Sequence, residues 1–193
     1  MKKISLKHIL IAGTIVGLSA VSASAQMALS PVFSLSKDSR LWLDGTSNVK
    51  AFSCSAKKID ANVVADLDVT PAAMVKTASL LVPVASLDCK NGTMNEHMRK
   101  ALKAKDNPQI VWNLISYRVT GTAVVMKGTL KIAGKENPIE LRGTGSAENG
   151  VIRVKGSKQI RMTEFGVKPP SLMLGTMKVG DAVTVSYDFV LNQ

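Results

Sequence analysis

Two histidines, His8 and His97, and two cysteines, Cys54 and Cys89, set the limits of the chemistry this chain could perform. Hydrolysis through a serine or cysteine nucleophile needs an imidazole held beside it as a base. His8 lies in a segment that reads as a removable leader, so His97 alone is left, and it sits next to Glu96 on a predicted helix. A surface or rim position fits it better than the role of general base. Neither a His/Cys cluster nor an Asp-rich calcium loop occurs, so no metal is expected. A pair of carboxylates could cleave a glycoside, but Asp66 and Asp68 fall on the outward parity of a predicted strand. Asp44, Asp60, Asp88 and Glu164 show no spacing that implies convergence. Gly143-Thr144-Gly145 matches neither a dinucleotide fingerprint nor a phosphate loop, and reads as a strand bend or turn. The expectation is a protein that performs no catalysis and carries no cofactor.

The compartment is read from the first residues. Lys2, Lys3 and Lys7 precede an uncharged run from Ile9 to Val21 that ends in Ala23-Ser24-Ala25, the pattern of a cleavable secretory signal over residues 1–25. No later stretch approaches the roughly 18 to 20 apolar residues of a membrane-spanning helix, so a soluble, periplasmic or secreted product is expected. In an oxidising compartment Cys54 and Cys89 are expected to form a disulfide. On loop-entropy grounds such a link contributes about 3 to 4 kcal/mol. A redox-active pair would need closely spaced thiols or a low-pKa setting. Without the leader, 22 Lys and Arg stand against 14 Asp and Glu. This basic excess is scattered and reads as solvated surface, with attraction to an anionic membrane surface as the second reading and nucleic acid not expected.

The elements that must position these residues are mostly strands. Val63, Ala65, Leu67 and Val69 alternate with Asp66 and Asp68, and Val124, Met126, Gly128, Leu130 and Ile132 alternate with Lys127, Thr129 and Lys131. Ile139 and Leu141, Ile152 and Val154, and Val183 to Leu191 repeat the rule, as half-buried antiparallel strands do. Gly134 to Pro138 reads as a turn, and a bulge near Gly45 would explain a phase change between Leu41 and Ala56. Thr93 and Glu96 form a capping-box pattern, and Met94, Met98 and Leu102 form the stripe of a helix of about ten residues. Residues 26–38 read as a lead-in and 39–193 as one domain. Eight or so strands with short connections favour a closed barrel or a sandwich. A barrel of about eight strands either fills itself with side chains or leaves room for one ligand. Aromatic residues are only 4% of the chain, and seven methionines of the mature chain offer soft lining, so the balance leans slightly toward room, with methionines that simply complete a core as an equal reading of the composition.

Particular residues carry a resemblance. Ser86-Leu87-Asp88 leads to the segment Met94-Asn95-Glu96-His97-Met98-Arg99-Lys100-Ala101-Leu102-Lys103, and then to Asn107-Pro108-Gln109-Ile110-Val111-Trp112. Gly128 to Gly134, Pro138 to Leu141, Met162 to Val167 and Val179 to Val183 follow in order. From about Ser39 onward the chain resembles the YceI-like family of exported polyisoprenoid-binding proteins. It departs from the family's usual Ser-Leu-Asp-Thr and Asp-His at Cys89 and Glu96, and Cys54 with Cys89 suggests a disulfide-bearing branch. The resemblance implies a mainly β, lipocalin-like, extended antiparallel β-barrel of about eight strands with one short α-helix. It also implies an isoprenoid quinone or polyprenyl lipid as partner, with the oligomeric state left open, a homodimer included.

The residues that would line such a barrel are those of inward parity. They are Leu67, Val124, Met126, Leu130, Ile132, Ile139, Leu141, Ile152, Val154, Val183, Val185 and Phe189, with Met98 and Leu102 from the helix and Trp112. The stretch from Glu164 to Gly180, with Phe165, Leu172 and Leu174, is read either as the mouth or lid or as packing on the barrel end. An apolar tube needs no polar signature. At about 0.8 kcal/mol per buried CH₂, roughly ten groups give micromolar affinity.

Overall fold

The structure is a computed structural model that describes residues 31–66, 74–172 and 176–193. The leader, Leu67 and Leu174 lie outside the described residues. The strands are β1 (Val32–Leu35), β2 (Arg40–Ser47), β3 (Ala51–Ala56), β4 (Asp60–Asp66), β5 (Met74–Pro83), β6 (Leu87–Asp88), β7 (Gln109–Thr120), β8 (Ala123–Ile132), β9 (Lys135–Glu148), β10 (Val151–Arg161), β11 (Ser171–Leu172) and β12 (Met177–Asn192). One helix, α1 (Gly92–Ala101), lies between β6 and β7, and short 3₁₀ turns cover Val84–Ser86 and Met162–Phe165.

All pairings are antiparallel, and neighbours follow the order β1-β4-β5-β7-β8-β9-β10-β12. β1 also pairs with β12 through Ser34↔Asn192 and Leu35↔Leu191, which closes an eight-stranded barrel. β2, β3 and β6 extend the sheet from the other edge of β12. The barrel therefore begins inside the segment read from sequence as a lead-in. Phe33 of β1 is fully buried against Val63, Ala65, Ile152 and Leu191, where an aromatic side chain contributes about 1.5 to 3 kcal/mol by leaving water.

Alternation set these strands as expected, while three local readings are corrected. Helix α1 is capped by Asn91, whose Oδ1 accepts from the Met94 backbone N–H at 2.9 Å. Thr93 lies inside the first turn, because the extended backbone of Asn91 (φ −147°) places its carboxamide over the free N–H groups. The β8–β9 turn is shorter than Gly134 to Pro138. Ala133 and Gly134 alone make it, both at positive φ, with Ile132 paired to Lys135 and Pro138 already in the ladder opposite Thr129. Gly45 carries no bulge, since it pairs in register with Phe52 on β3. The irregularity lies across from it in β12, between Val179 and Val183. Gly45 is instead a site of close approach, for a Cβ there would collide with the Phe52 ring.

Candidate ligand-binding cavity

The core divides into two separate clusters. One is Phe33, Val63, Ala65, Ile152 and Leu191. The other is Ile132, Ile160, Phe165, Val167 and Val183, with Ala101 and Leu102 of α1 packed on it. Ile152 and Ile160 are eight residues apart on β10, roughly 27 Å at the rise of an extended strand. Each cluster therefore packs one end of the barrel, and a cavity of about 760 Å³ extends through the interior between and beside them. That volume falls within the range of about 300 to 1,000 Å³ typical of sites for small ligands and cofactors.

The inward rows of the wall make the lining mainly aliphatic. Val124, Met126, Leu130, Ile132, Ile139, Leu141, Ile152, Val154, Phe165, Val183, Val185 and Phe189 all border the cavity, as do Trp112, Met98 and Leu102. Period-two alternation is enough to bring the strand residues together, because every second side chain of a closed wall points inward. For Leu172 only the backbone is described, as part of β11. The segment after β10 packs on the barrel end in its described part. Phe165 and Val167 are each 3% exposed, and Asp181 accepts from the Thr163 N–H at 2.9 Å and its hydroxyl at 2.8 Å. Those two bonds hold the Asp181 carboxyl below its ordinary range.

Several lining residues escaped the sequence reading. Leu80 and Val82 lie in the nearly continuous apolar run whose register was left open, and Leu43 and Cys54 lie where the phase changed. His97 is half-buried on the face of α1 turned to the cavity, and its Nδ1 has no partner among the described residues. Trp112 stands over Gly128, where a Cβ would come within 2.8 Å of the indole Nε1. That nitrogen, too, is buried and unpartnered.

Tyr187 shapes the middle of the wall. It is 4% exposed, stacks on Phe189 with ring centroids 5.6 Å apart, and its hydroxyl donates to the Arg142 carbonyl at 3.2 Å. To reach β9 from β12 it crosses β10 at Gly156, where a Cβ would lie 2.5 Å from the phenol oxygen. The β9–β10 ladder stops at that point, at Gly156↔Gly143, although β10 stays paired with β12 as far as Arg161↔Ala182. Burial pushes the Tyr187 hydroxyl up to about 12 from its ordinary 10.0.

The edge of the extended sheet is stapled by the Cys54–Cys89 disulfide, which joins β3 to the residues leading into α1. Beside it Asp88 Oδ1 accepts from Asn95 Nδ2 and from the Lys90 N–H, both at 2.9 Å, and Asn95 Oδ1 accepts from the Cys89 N–H at 2.7 Å. The Asn95 bond, then the Lys90 bond and the nearby Lys57 ammonium, lower the Asp88 pKa. The staple and this network fix the start of the helix whose Met94, His97, Met98 and Ala101 face the cavity. Among the described residues no group of three or more His, Cys, Asp or Glu side chains could hold a metal ion, and no helix is long and apolar enough to cross a membrane.

Comparison with known proteins agrees with this geometry. The family model described as a YceI-like domain matches residues 36–191. The fold is similar to the crystal structure of BcnA from Burkholderia cenocepacia (TM-score 0.65, 23% identity, 79% of this chain and 95% of that one). It is also similar to a polyisoprenoid binding domain from Saccharophagus degradans implicated in plant cell wall breakdown (TM-score 0.65, 13% identity, 83% and 97%). A YCEI protein of Campylobacter jejuni aligns over 100% of this chain and 99% of its own, at TM-score 0.60 and 18% identity. Comparison with curated proteins finds no match.

Proposed function

Since the chain belongs to the YceI-like domain family, we propose that it is a binding protein that holds a long apolar lipid inside the barrel, for carriage, storage or sequestration. The observation that carries this reading is the aliphatic cavity of about 760 Å³ left within a barrel whose two ends are packed. A barrel filled with side chains, the alternative that would leave only a surface to act, is at odds with that hollow. An isoprenoid chain of the quinone or polyprenyl type suits a long, branched and unpolar lining, and the solved relative described as a polyisoprenoid binding domain supports the same class. Export to the periplasm follows from the leader pattern of residues 1–25, and the basic surface would assist exchange with an anionic membrane. No chemical step is assigned to the site. A general base needs a third group to orient it, and His97 Nδ1 meets none among the described residues.

Organic extraction of protein purified from its native envelope, followed by mass spectrometry, tests the reading. Stoichiometric lipid is the expected result. Repeated preparations free of lipid, together with no binding of added quinone or polyprenol, would sink it.

A further inference from the structure

Basic residues are scattered over most of the surface, but at the helix end of the barrel they gather where the cavity meets solvent. Four segments border the cavity there: the β2–β3 turn (47–50), the start of α1 (90–94), the stretch leading into β11 (167–171) and the start of β12 (176–179). Lys50, Asn91 and Thr93 both line the cavity and are exposed, so they mark its rim. Together the four segments hold Lys50, Lys90, Lys168 and Lys178 and no Asp or Glu. All four lysines are exposed, and none joins an ion pair among the described residues. The neighbouring carboxylates of Asp88 and Asp181 are engaged, by Lys57 and Asn95 and by Thr163. Asp44 lies further back on β2, opposite Ser53. At the other end the β9–β10 hairpin borders the cavity through Glu148 and Arg153, whose charges cancel.

The tip of this rim is apolar. Val49 is 63% exposed, in a turn fixed on both sides. Ser47 Oγ accepts from the Val49 and Lys50 N–H groups at 3.2 and 3.1 Å. Asn48 Oδ1 accepts from the Lys178 N–H at 2.8 Å, and its Nδ2 donates to the Thr176 carbonyl at 2.7 Å. The turn and the start of β12 therefore present Val49, Lys50 and Lys178 as one surface. An exposed apolar side chain ringed by cations suits the boundary between headgroups and acyl chains of an anionic bilayer.

We propose that this rim docks on an anionic bilayer, with Val49 entering the headgroup region and the four lysines lying over the phosphates, so that the cavity opens toward the membrane. The lipid-binding reading gives the docking its purpose, but vesicle binding is measured without regard to cargo, so either can fail alone.

The test is co-sedimentation of the purified protein with vesicles of phosphatidylglycerol and phosphatidylethanolamine in equal parts, and with vesicles of phosphatidylcholine alone. Binding is expected to the anionic vesicles only, and to weaken as salt is raised. Each lysine near such a surface contributes about five-fold in affinity, so Lys168→Glu with Lys178→Glu should weaken binding by about 30-fold or more. Lys37→Glu with Arg118→Glu changes the net charge equally at the opposite end and should cost little. Val49→Trp should tighten binding, and brominated acyl chains should quench its added fluorescence. Equal loss in the two charge-reversed pairs, or no added quenching in Val49→Trp, would overturn the inference. A protein that ignores anionic vesicles would overturn it too, and self-association abolished by the Lys168/Lys178 pair would then assign the face to a second copy. Stoichiometric lipid on extraction would leave the carrier reading standing in each case.

Discussion

Tyr187 reaches from β12 past Gly156 to the Arg142 carbonyl on β9, and so occupies the place where a ladder between β9 and β10 would otherwise continue. Gly156→Ala sets a methyl group 2.5 Å from the phenol oxygen. The expected cost is about 1 to 3 kcal/mol, that of overpacking a tight site, and urea unfolding of the variant against the parent measures it. The same residue gives the protein an alkaline limit. Its hydroxyl titrates at about 12 in the fold and at about 10 in an unfolded chain. Below pH 10 both states keep the proton and the full contribution is present. Between 10 and 12 the unfolded chain sheds the proton first, so stability falls as pH rises through that window. Loss of stability with rising pH should shrink in Tyr187→Phe, and an unchanged alkaline slope in that variant would refute the assignment. The disulfide acts at this scale too. Cys54 and Cys89 are 35 residues apart, so replacing both by serine should lower stability by about 3 to 4 kcal/mol on loop-entropy grounds, read as a lower urea midpoint. Both cysteines were visible in the sequence as a pair. Of the glycines beside Tyr187, Gly143 was visible only as part of a bend or turn and Gly156 carried no signal, because the ring that needs their space lies far along the chain, on β12.

Helix α1 shows how an element can be legible while its anchoring is not. The spacing of Met94, Met98 and Leu102 predicted it, yet the capping box read at Thr93 and Glu96 is not what caps it. The backbone selects Asn91, because only that residue is extended at the edge of the first turn. Asn91→Ala should cost about 1 kcal/mol, with faster hydrogen exchange at the Met94 amide as its local signature, while Thr93→Ala should change that amide little. Below the cap, Asn95 joins Asp88 to the Cys89 backbone. Asp88 titrates below its ordinary value because of these bonds. Its contribution is therefore present above the unfolded carboxyl's pKa and is lost as pH falls through the lower folded value. Acid should loosen the start of α1, and exchange of the Cys89 amide, followed as pH falls below the ordinary carboxyl range, reports it. Phe165 and Val167, at the start of the segment after β10, pack on the barrel end. Sequence alone left a lid and end packing as equal readings, since Phe165 serves a lid as well as a plug.

For the molecule as a whole the hollow is the decisive property, and filling it separates stability from binding. Met126 lies on an inward row, paired with Tyr117 and Leu141. Met126→Trp places a larger ring in open volume, so stability should change by less than about 1.5 kcal/mol, while retained lipid measured by extraction should fall at least several-fold. Undiminished lipid in a folded Met126→Trp variant would show that the ligand lies elsewhere. The sequence alone determined the strand-rich class, the inward parity and the pairing of the cysteines, because period-two alternation and thiol count are local or compositional signals. Strand order, closure by β1, and the separation of the core into two end clusters were decided only in three dimensions. Alternation says which side chains share a face, but not whether those from opposite walls meet. That depends on the diameter the closed barrel adopts, which arises from all its strands together.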